Sequence, residues 1–364
     1  MNNGNSLDVK ESLKNLKRVS NADRSRLDYL RLDKNENILS WPAKIRAKLY
    51  KELSADFISA YPEVDILYNK LAKRLGVKKE NIFLTAGSDA AIKAVFEVFV
   101  KPGDHILTVS PTYAMFYVYA KMFAADLKEI FYDENLSLAV NKIKEEIARV
   151  RPKLVCIANP NSPTGTVIAE KELEEIIALC SRQGSVILMD EAYYMYYPKT
   201  TAHLIGRYDH LVITRTFSKA FGLASARLGY ALGSPTMIGY LAKTRPMYET
   251  NAYALKMGEI ILDNFDAVRA NLKLSLAGKK YLETELKKLD LPFFKSHANF
   301  VLIDLGSKDI ALKVAEELKK KKILVKTGFG GSPLERCIRV NIGHPKQMKL
   351  FIDKLKQILK AKTK

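Results

Sequence analysis

Short, unbroken apolar runs recur through the first two-thirds of the chain, and amphipathic helical stretches separate them. Residues 81–85, 105–110, 128–131, 154–158, 185–189 and 211–214 read as strands, and residues 90–99, 114–123, 138–149 and 170–182 as helices. Strands that are apolar on both faces need cover on both faces, and a helix between successive strands makes a parallel crossover. The pattern predicts an α/β fold with a mostly parallel, mixed central sheet covered by helices. From Gly87 onward the polar clusters fall just after these strands, and in such sheets the carboxyl edge is where ligands bind.

A chain of 364 residues suits two packed domains better than one core. Ahead of the alternating region come a strand at 30–33 and helices at 42–54 and 64–75, the last stopped by Gly76. A long helical pattern at 251–289 ends the alternation, followed by strands at 299–304, 322–326 and 337–342 and helices at 308–320 and 346–361. We expect residues 50–250 to form a large domain. Residues 31–49 and 251–364 would form a smaller α+β domain, and residues 1–30 an arm lying on the body or on a partner subunit.

The formal charge of +19 comes from 59 basic and 40 acidic residues. The lysines are dispersed, with denser runs only at Lys319–Lys322 and from Lys354 to Lys364. No nucleic-acid-binding motif accompanies them, so no nucleic-acid partner is expected; the basic field suits anionic substrates instead. No apolar run approaches the ~20 residues of a membrane span, and the first residues lack a secretory apolar segment. The expectation is a cytoplasmic protein without a membrane partner. Cys156, Cys180 and Cys337 stand far apart, without a Cys-x-x-Cys pair, so neither a disulfide framework nor a metal site is expected.

The strand at 211–214 runs into Arg215-Thr-Phe-Ser-Lys-Ala-Phe221, which sets Ser218 beside Lys219, with Arg227 shortly downstream. A lysine among small polar residues, followed by an arginine, suits a phosphorylated aldehyde cofactor such as pyridoxal 5′-phosphate. The lysine takes the aldehyde, while hydroxyls and guanidinium hold the phosphate. Such a cofactor also needs an acid beside its ring nitrogen, donors to its ring oxygen and an aromatic face. Asp190 ends an apolar strand, where a carboxylate needs a cation. Asn161 and Tyr193 are candidate donors, Tyr113 a candidate stacking ring, and Gly87-Ser88-Asp89 a phosphate cup at a helix start. Taken singly, each residue also has an ordinary role as cap, turn or core; their joint order along one chain sets them apart.

Asn159-Pro-Asn-Ser-Pro-Thr-Gly165, Asp190-Glu-Ala-Tyr193, Arg215 to Phe221 and Arg227-Leu-Gly-Tyr230 resemble the motifs of class I/II aminotransferases, which are pyridoxal-phosphate enzymes of fold type I. Leu32-Asp-Lys-Asn-Glu-Asn37 and Tyr61-Pro62 are most similar to the histidinol-phosphate aminotransferase subfamily. The resemblance runs from about Leu30 to the C-terminus. It implies that Lys219 links to the cofactor and moves the substrate proton, and that Asp190 pairs with the ring nitrogen. It implies Asn161 and Tyr193 at the ring oxygen and Tyr113 on the ring face. Ser88, Asp89, Ser218 and Arg227 would bind the phosphate, joined by Tyr61 from the neighbouring subunit, hence a homodimer with shared active sites. Arg339 would clamp the amino donor's α-carboxylate. Asn37 and Lys326 complete the substrate-binding candidates.

The chain departs from that pattern in places. Lys326 stands where the subfamily usually carries an arginine for the substrate phosphate; lysine is a point charge rather than a fork. Ile38 replaces a usual proline, Ala90 a common acid, and Ala224-Ser-Ala226 the usual Ala-Gly-Leu. Arg24, Arg26 and Arg245-Pro-Met-Tyr248 are spare candidates for an anionic substrate. The leading expectation is a transaminase using glutamate and a small phosphorylated compound, such as histidinol phosphate or dihydroxyacetone phosphate. The alternative is a decarboxylase of phosphoserine or phosphothreonine.

Overall fold

The structure, a computed structural model, describes residues 9–14, 16, 26–52 and 54–360. Arg24 and the end of the C-terminal lysine run lie outside the described residues. The strands are β1 (Leu30–Leu32), β2 (Ile82–Thr85), β3 (His105–Ser110), β4 (Asp126–Phe131), β5 (Leu154–Ala158), β6 (Val186–Asp190), β7 (Leu211–Thr216), β8 (Gly229–Gly233), β9 (Phe293–Phe294), β10 (Phe300–Asp304), β11 (Ile323–Val325) and β12 (Cys337–Asn341).

A seven-stranded sheet runs in the order β2-β8-β7-β6-β5-β3-β4. β3 to β7 pair parallel, while β8 lies antiparallel between β2 and β7. This is the mostly parallel, mixed sheet that the sequence pattern predicts. β8 is the strand that pattern misses. Its apolar run, Tyr230-Ala231-Leu232, is short and lies between Gly229 and Gly233, and glycines weaken any strand signal.

Successive residues on a strand face opposite ways, and both faces here are covered. Val155 and Ile157 belong to one apolar core with Met189 and Ile213. Leu154 and Cys156 belong to another with Leu188 and Val212. A third core surrounds the smaller sheets, where β10 lies between β9 and β12 and β1 pairs parallel with β11. It gathers Leu32, Val301, Val314, Ile338 and Phe351.

The helical pattern at 251–289 is two helices, Ala252–Asp263 and Phe265–Lys288, meeting at Asn264. Ala254, Leu255, Ile260, Ile261 and Val268 pack into the large core, while Tyr281, Leu282 and Leu286 reach the small one. Ile45, in the helix Ala43–Glu52, also joins the large core. Of the N-terminal arm, Ser12 donates to Met122 O at 3.0 Å. All three cysteines are buried thiols. Among the described residues no helix is long and apolar enough to cross a membrane.

Candidate active site

A cleft of about 610 Å³ opens at the carboxyl ends of β5, β6 and β7, between the large sheet and the loops around β11 and β12. Ser88, Asp89, Tyr113, Asp190, Tyr193, Ser218, Lys219, Arg227, Lys326 and Arg339 all line it. Those from Ser88 to Lys219 meet because the large sheet brings these strand ends to one edge, Arg227 precedes β8 at that same edge, and Lys326 and Arg339 come from the smaller sheets.

One end of the cleft is a polar cradle. Gly87, at φ +84°, turns β2 into the helix Ser88–Phe99 and leaves the amides of its first turn facing out. A Cβ on Gly229 would lie 2.3 Å from Ser88 N, so only glycine lets β8 run this close to that turn. Arg227 Nη1 lies 3.4 Å from Ser218 Oγ, which in turn accepts from Thr216 Oγ1 at 3.0 Å. Helix amides, a hydroxyl and a guanidinium at one point fit a phosphate dianion.

At the centre, Asp190 ends β6 and is 5% exposed. Its Oδ1 accepts from Thr214 Oγ1 at 3.1 Å and from the Ala192 amide at 3.2 Å. Burial pushes its carboxyl up to about 6, against the opposing pull of those donors and of Lys219. A buried carboxylate bonded only to neutral donors suits a protonated ring nitrogen. Lys219 Nζ lies 3.4 Å from the Lys34 carbonyl and 5.7 Å from the centroid of the Tyr193 ring. Tyr113 stands edge-on to Phe116, and burial raises its phenol. The residues present therefore fit pyridoxal 5′-phosphate at both its phosphate and its ring.

The opposite wall carries Arg339 and Lys326. Their backbones form a reciprocal antiparallel pair, Lys326 N to Arg339 O at 3.1 Å and Arg339 N to Lys326 O at 2.7 Å. Residues so paired present their side chains on one face. The Arg339 guanidinium sits 5.1 Å from the Phe300 ring centroid and 5.6 Å from that of Phe329. It donates to Asp33 O and approaches Ser162 Oγ, and its buried Nε has no hydrogen-bond partner. Burial lowers its pKa. An arginine this deep, bonded only to neutral groups, suits an incoming carboxylate.

Four sequence candidates lie off this lining. Gly87 sits behind Arg227. Asn161 is 1% exposed, and its amide is engaged with Pro111 O, Thr164 Oγ1 and Thr112 Oγ1; its neighbour Ser162 faces the cleft instead. Asn37 donates to Ala220 O at 3.1 Å, holding the lysine loop from behind. Tyr61 is 76% exposed and stacks on Tyr248 with centroids 4.3 Å apart, away from its own chain's cleft. Of the spare arginines, Arg26 is paired with Asp33 and Glu36, and Arg245 with Glu249. Asn35, Ser162, Thr214 and Phe329 complete the site without being among the sequence candidates. The position of Thr214 at the end of β7, beside Asp190, was the available signal for one of them.

The family model for aminotransferase class I and II matches residues 28–355. The chain is 32% identical over 332 residues to histidinol-phosphate aminotransferase 1 of Carboxydothermus hydrogenoformans, covering 91% of this chain and 93% of that protein. It is 33% identical over 330 residues to the histidinol-phosphate aminotransferase of Pyrococcus furiosus, covering 90% and 92%. Among solved structures, histidinol-phosphate aminotransferase from Sinorhizobium meliloti in complex with pyridoxal-5′-phosphate superposes with a TM-score of 0.84 at 22% identity, covering 91% of each chain. The Clostridium acetobutylicum enzyme gives 0.81 at 24% identity, over 90% of this chain and 98% of that one. The chain belongs to the class I and II aminotransferases, pyridoxal 5′-phosphate enzymes of fold type I.

Proposed function

We propose that this enzyme moves an amino group between glutamate and a small phosphorylated compound of the histidinol phosphate type, in the cytoplasm. The observation that carries the reading is the Lys326–Arg339 pair, two cations on one wall of a cleft whose far end is a phosphate cradle. One cation suits the donor's α-carboxylate, and the other suits either glutamate's side-chain carboxylate or the phosphate of the phosphorylated compound. The relatives compared above are aminotransferases, so the decarboxylase alternative has no support among them.

Bound pyridoxal phosphate supplies an electron sink that acidifies the substrate Cα–H. Lys219 holds the cofactor at rest and, once displaced, takes that proton on Nζ. Asp190 stays ionised and keeps the ring nitrogen protonated. Tyr193 donates to the ring oxygen, and Tyr113 excludes water from the ring face. Ser88, Asp89, Ser218 and Arg227 bind the cofactor phosphate. Asn161 acts at one remove, through Thr112 and Thr164. Gly87 makes room for Arg227, and Asn37 steadies the lysine loop. Arg339 and Lys326 orient the substrate.

We place Tyr61 in the neighbouring subunit's site, which makes the enzyme a homodimer. Its exposure, together with that of Ile58, Met247 and Tyr248, supports this reading, since large apolar side chains gathered on a surface suit a subunit interface.

The deciding assay offers glutamate with imidazole acetol phosphate, and separately phosphoserine and phosphothreonine, scoring 2-oxoglutarate and carbon dioxide. Formation of 2-oxoglutarate with the first is expected. Carbon dioxide release from the others without keto-acid formation would sink the transaminase assignment. Light scattering should give twice 41.1 kDa; a monomer with full activity would remove the shared site.

A further inference from the structure

We propose that Asn35 is a positioning residue whose side-chain amide sets the direction in which the Tyr193 hydroxyl donates its proton. The inference rests on the cofactor reading above and concerns a residue outside the sequence candidates.

Asn35 is 3% exposed, and its Nδ2 donates to Tyr193 Oη at 2.8 Å. A phenolic oxygen carries one proton and two acceptor positions. Accepting from Asn35 occupies one acceptor position, and among the described residues no group takes the Tyr193 proton. That proton is left for a group in the cleft, which Tyr193 lines. The ring cannot swing to compensate. It is 6% exposed and packs edge-on against Phe300, centroids 5.7 Å apart.

The Asn35 backbone sits at φ +55°, a left-handed conformation that asparagine adopts more readily than other residues with a Cβ. Two further asparagines hold it there. The Asn35 amide donates to Asn341 Oδ1 at 2.8 Å, and its carbonyl accepts from Asn299 Nδ2 at 3.0 Å. Asn341 ends β12, and Asn299 immediately precedes β10. The small sheet thereby grips the Asn35 backbone from both sides and aims its side chain at Tyr193. In the same segment, the Lys34 carbonyl is the atom 3.4 Å from Lys219 Nζ.

A donor to an anionic ring oxygen favours the deprotonated form of the bound cofactor, so losing that donor raises the pH at which its visible absorbance titrates. The other titratable groups around Tyr193 are Lys219, Asp190, Arg339, Tyr113 and Tyr196; the variants below leave all five in place. The experiment titrates the visible absorbance of the holoenzyme in four forms: unchanged, Asn35→Gly, Tyr193→Phe and the double variant. Glycine keeps the left-handed backbone, so the substitution removes the amide alone. The expected result is an upward shift of about half a pH unit or more for Asn35→Gly. In the Tyr193→Phe background the same substitution should shift nothing, because effects carried by one hydroxyl are not additive. Equal shifts in both backgrounds, or none in either, would overturn the proposal.

Asn35→Asp is the second variant. It keeps the shape but offers an acceptor in place of the donor, so it captures the Tyr193 proton and should shift the midpoint as far as Tyr193→Phe does. A midpoint matching the unchanged enzyme would also overturn the proposal. A protein that takes up pyridoxal phosphate without any visible band in all forms overturns the cofactor reading itself, and this inference with it.

Discussion

Gly87 gives up its side chain to Arg227: a Cβ on Gly87 would lie 2.5 Å from Arg227 Nη2. Gly87 also stands at φ +84°, where any other residue is strained. Gly87→Ala should displace the guanidinium from the cradle and weaken cofactor binding about tenfold or more, the strain and the lost charge-assisted bond acting together. Titration of cofactor-free protein by absorbance or fluorescence measures this. An unchanged dissociation constant would remove Arg227 from the phosphate site.

Lys219→Ala should abolish the visible band that forms when pyridoxal phosphate links to the protein. Transamination should fall at least a hundredfold, since the proton acceptor is lost as well. Retention of the band would move the covalent link to another lysine.

In the cofactor-free protein, the Asp190 carboxyl is held near pH 6, above its ordinary value of 3.8, chiefly by burial. The folded state then holds this proton more tightly than the unfolded state does. Stability contributed by the protonated form is full below about 4 and is lost as pH rises through about 6, a change on the order of 3 kcal/mol. Asp190→Asn should flatten that pH dependence in the cofactor-free protein, read by denaturant titration at pH 4 and pH 7. Cofactor affinity in the same variant should drop, because a neutral amide no longer pairs with a protonated ring nitrogen.

Lys326→Ala should raise KM for the phosphorylated substrate by roughly ten- to a hundredfold, the span of one hydrogen bond to a charged group. Cofactor affinity should not move, since Lys326 lies on the wall opposite the phosphate cradle. Steady-state kinetics with glutamate and imidazole acetol phosphate, run in parallel with cofactor titration, separate the two effects.

Arg215 and Glu191 form an ion pair with both side chains 3% exposed, joined by Nη2 to Oε2 at 2.8 Å and Nε to Oε2 at 3.1 Å. Glu191 also accepts from Thr200 and Thr201, and Tyr194 covers the guanidinium at 4.0 Å. Arg215→Leu leaves a buried carboxylate without its cation and should cost about 3–5 kcal/mol of unfolding free energy. Arg215→Leu combined with Glu191→Leu should recover much of that loss. Chemical denaturation of the two variants tests the pair.

The sheet was legible in the sequence because β3, β5, β6 and β7 are apolar on both faces, a pattern with few alternatives. Lys219, Asp190 and Tyr193 were legible as neighbours because each sits at or just past a strand end, and parallel strand ends share one edge; Arg227 reaches that edge just ahead of the antiparallel β8. Where the turn itself decides, the sequence is silent. Asn161 and Ser162 are adjacent, and only the path of the backbone selects which one faces the cleft. Asn35 and Tyr193 are 158 positions apart, and their meeting depends on how the small sheet docks. The division of the helical pattern at Asn264 was hidden because both halves have good helix formers and the break spans a single residue.

β8 is the last strand of the seven to be synthesised, and it closes between β2 and β7 rather than at an edge. A nascent chain that has released β8 has every residue of the phosphate cradle, of Asp190 and of Lys219, whereas Arg339 is still about a hundred residues from emerging. This chain's own residues proposed for the cofactor are thus all synthesised before Lys326 and Arg339, the two cations proposed for the substrate.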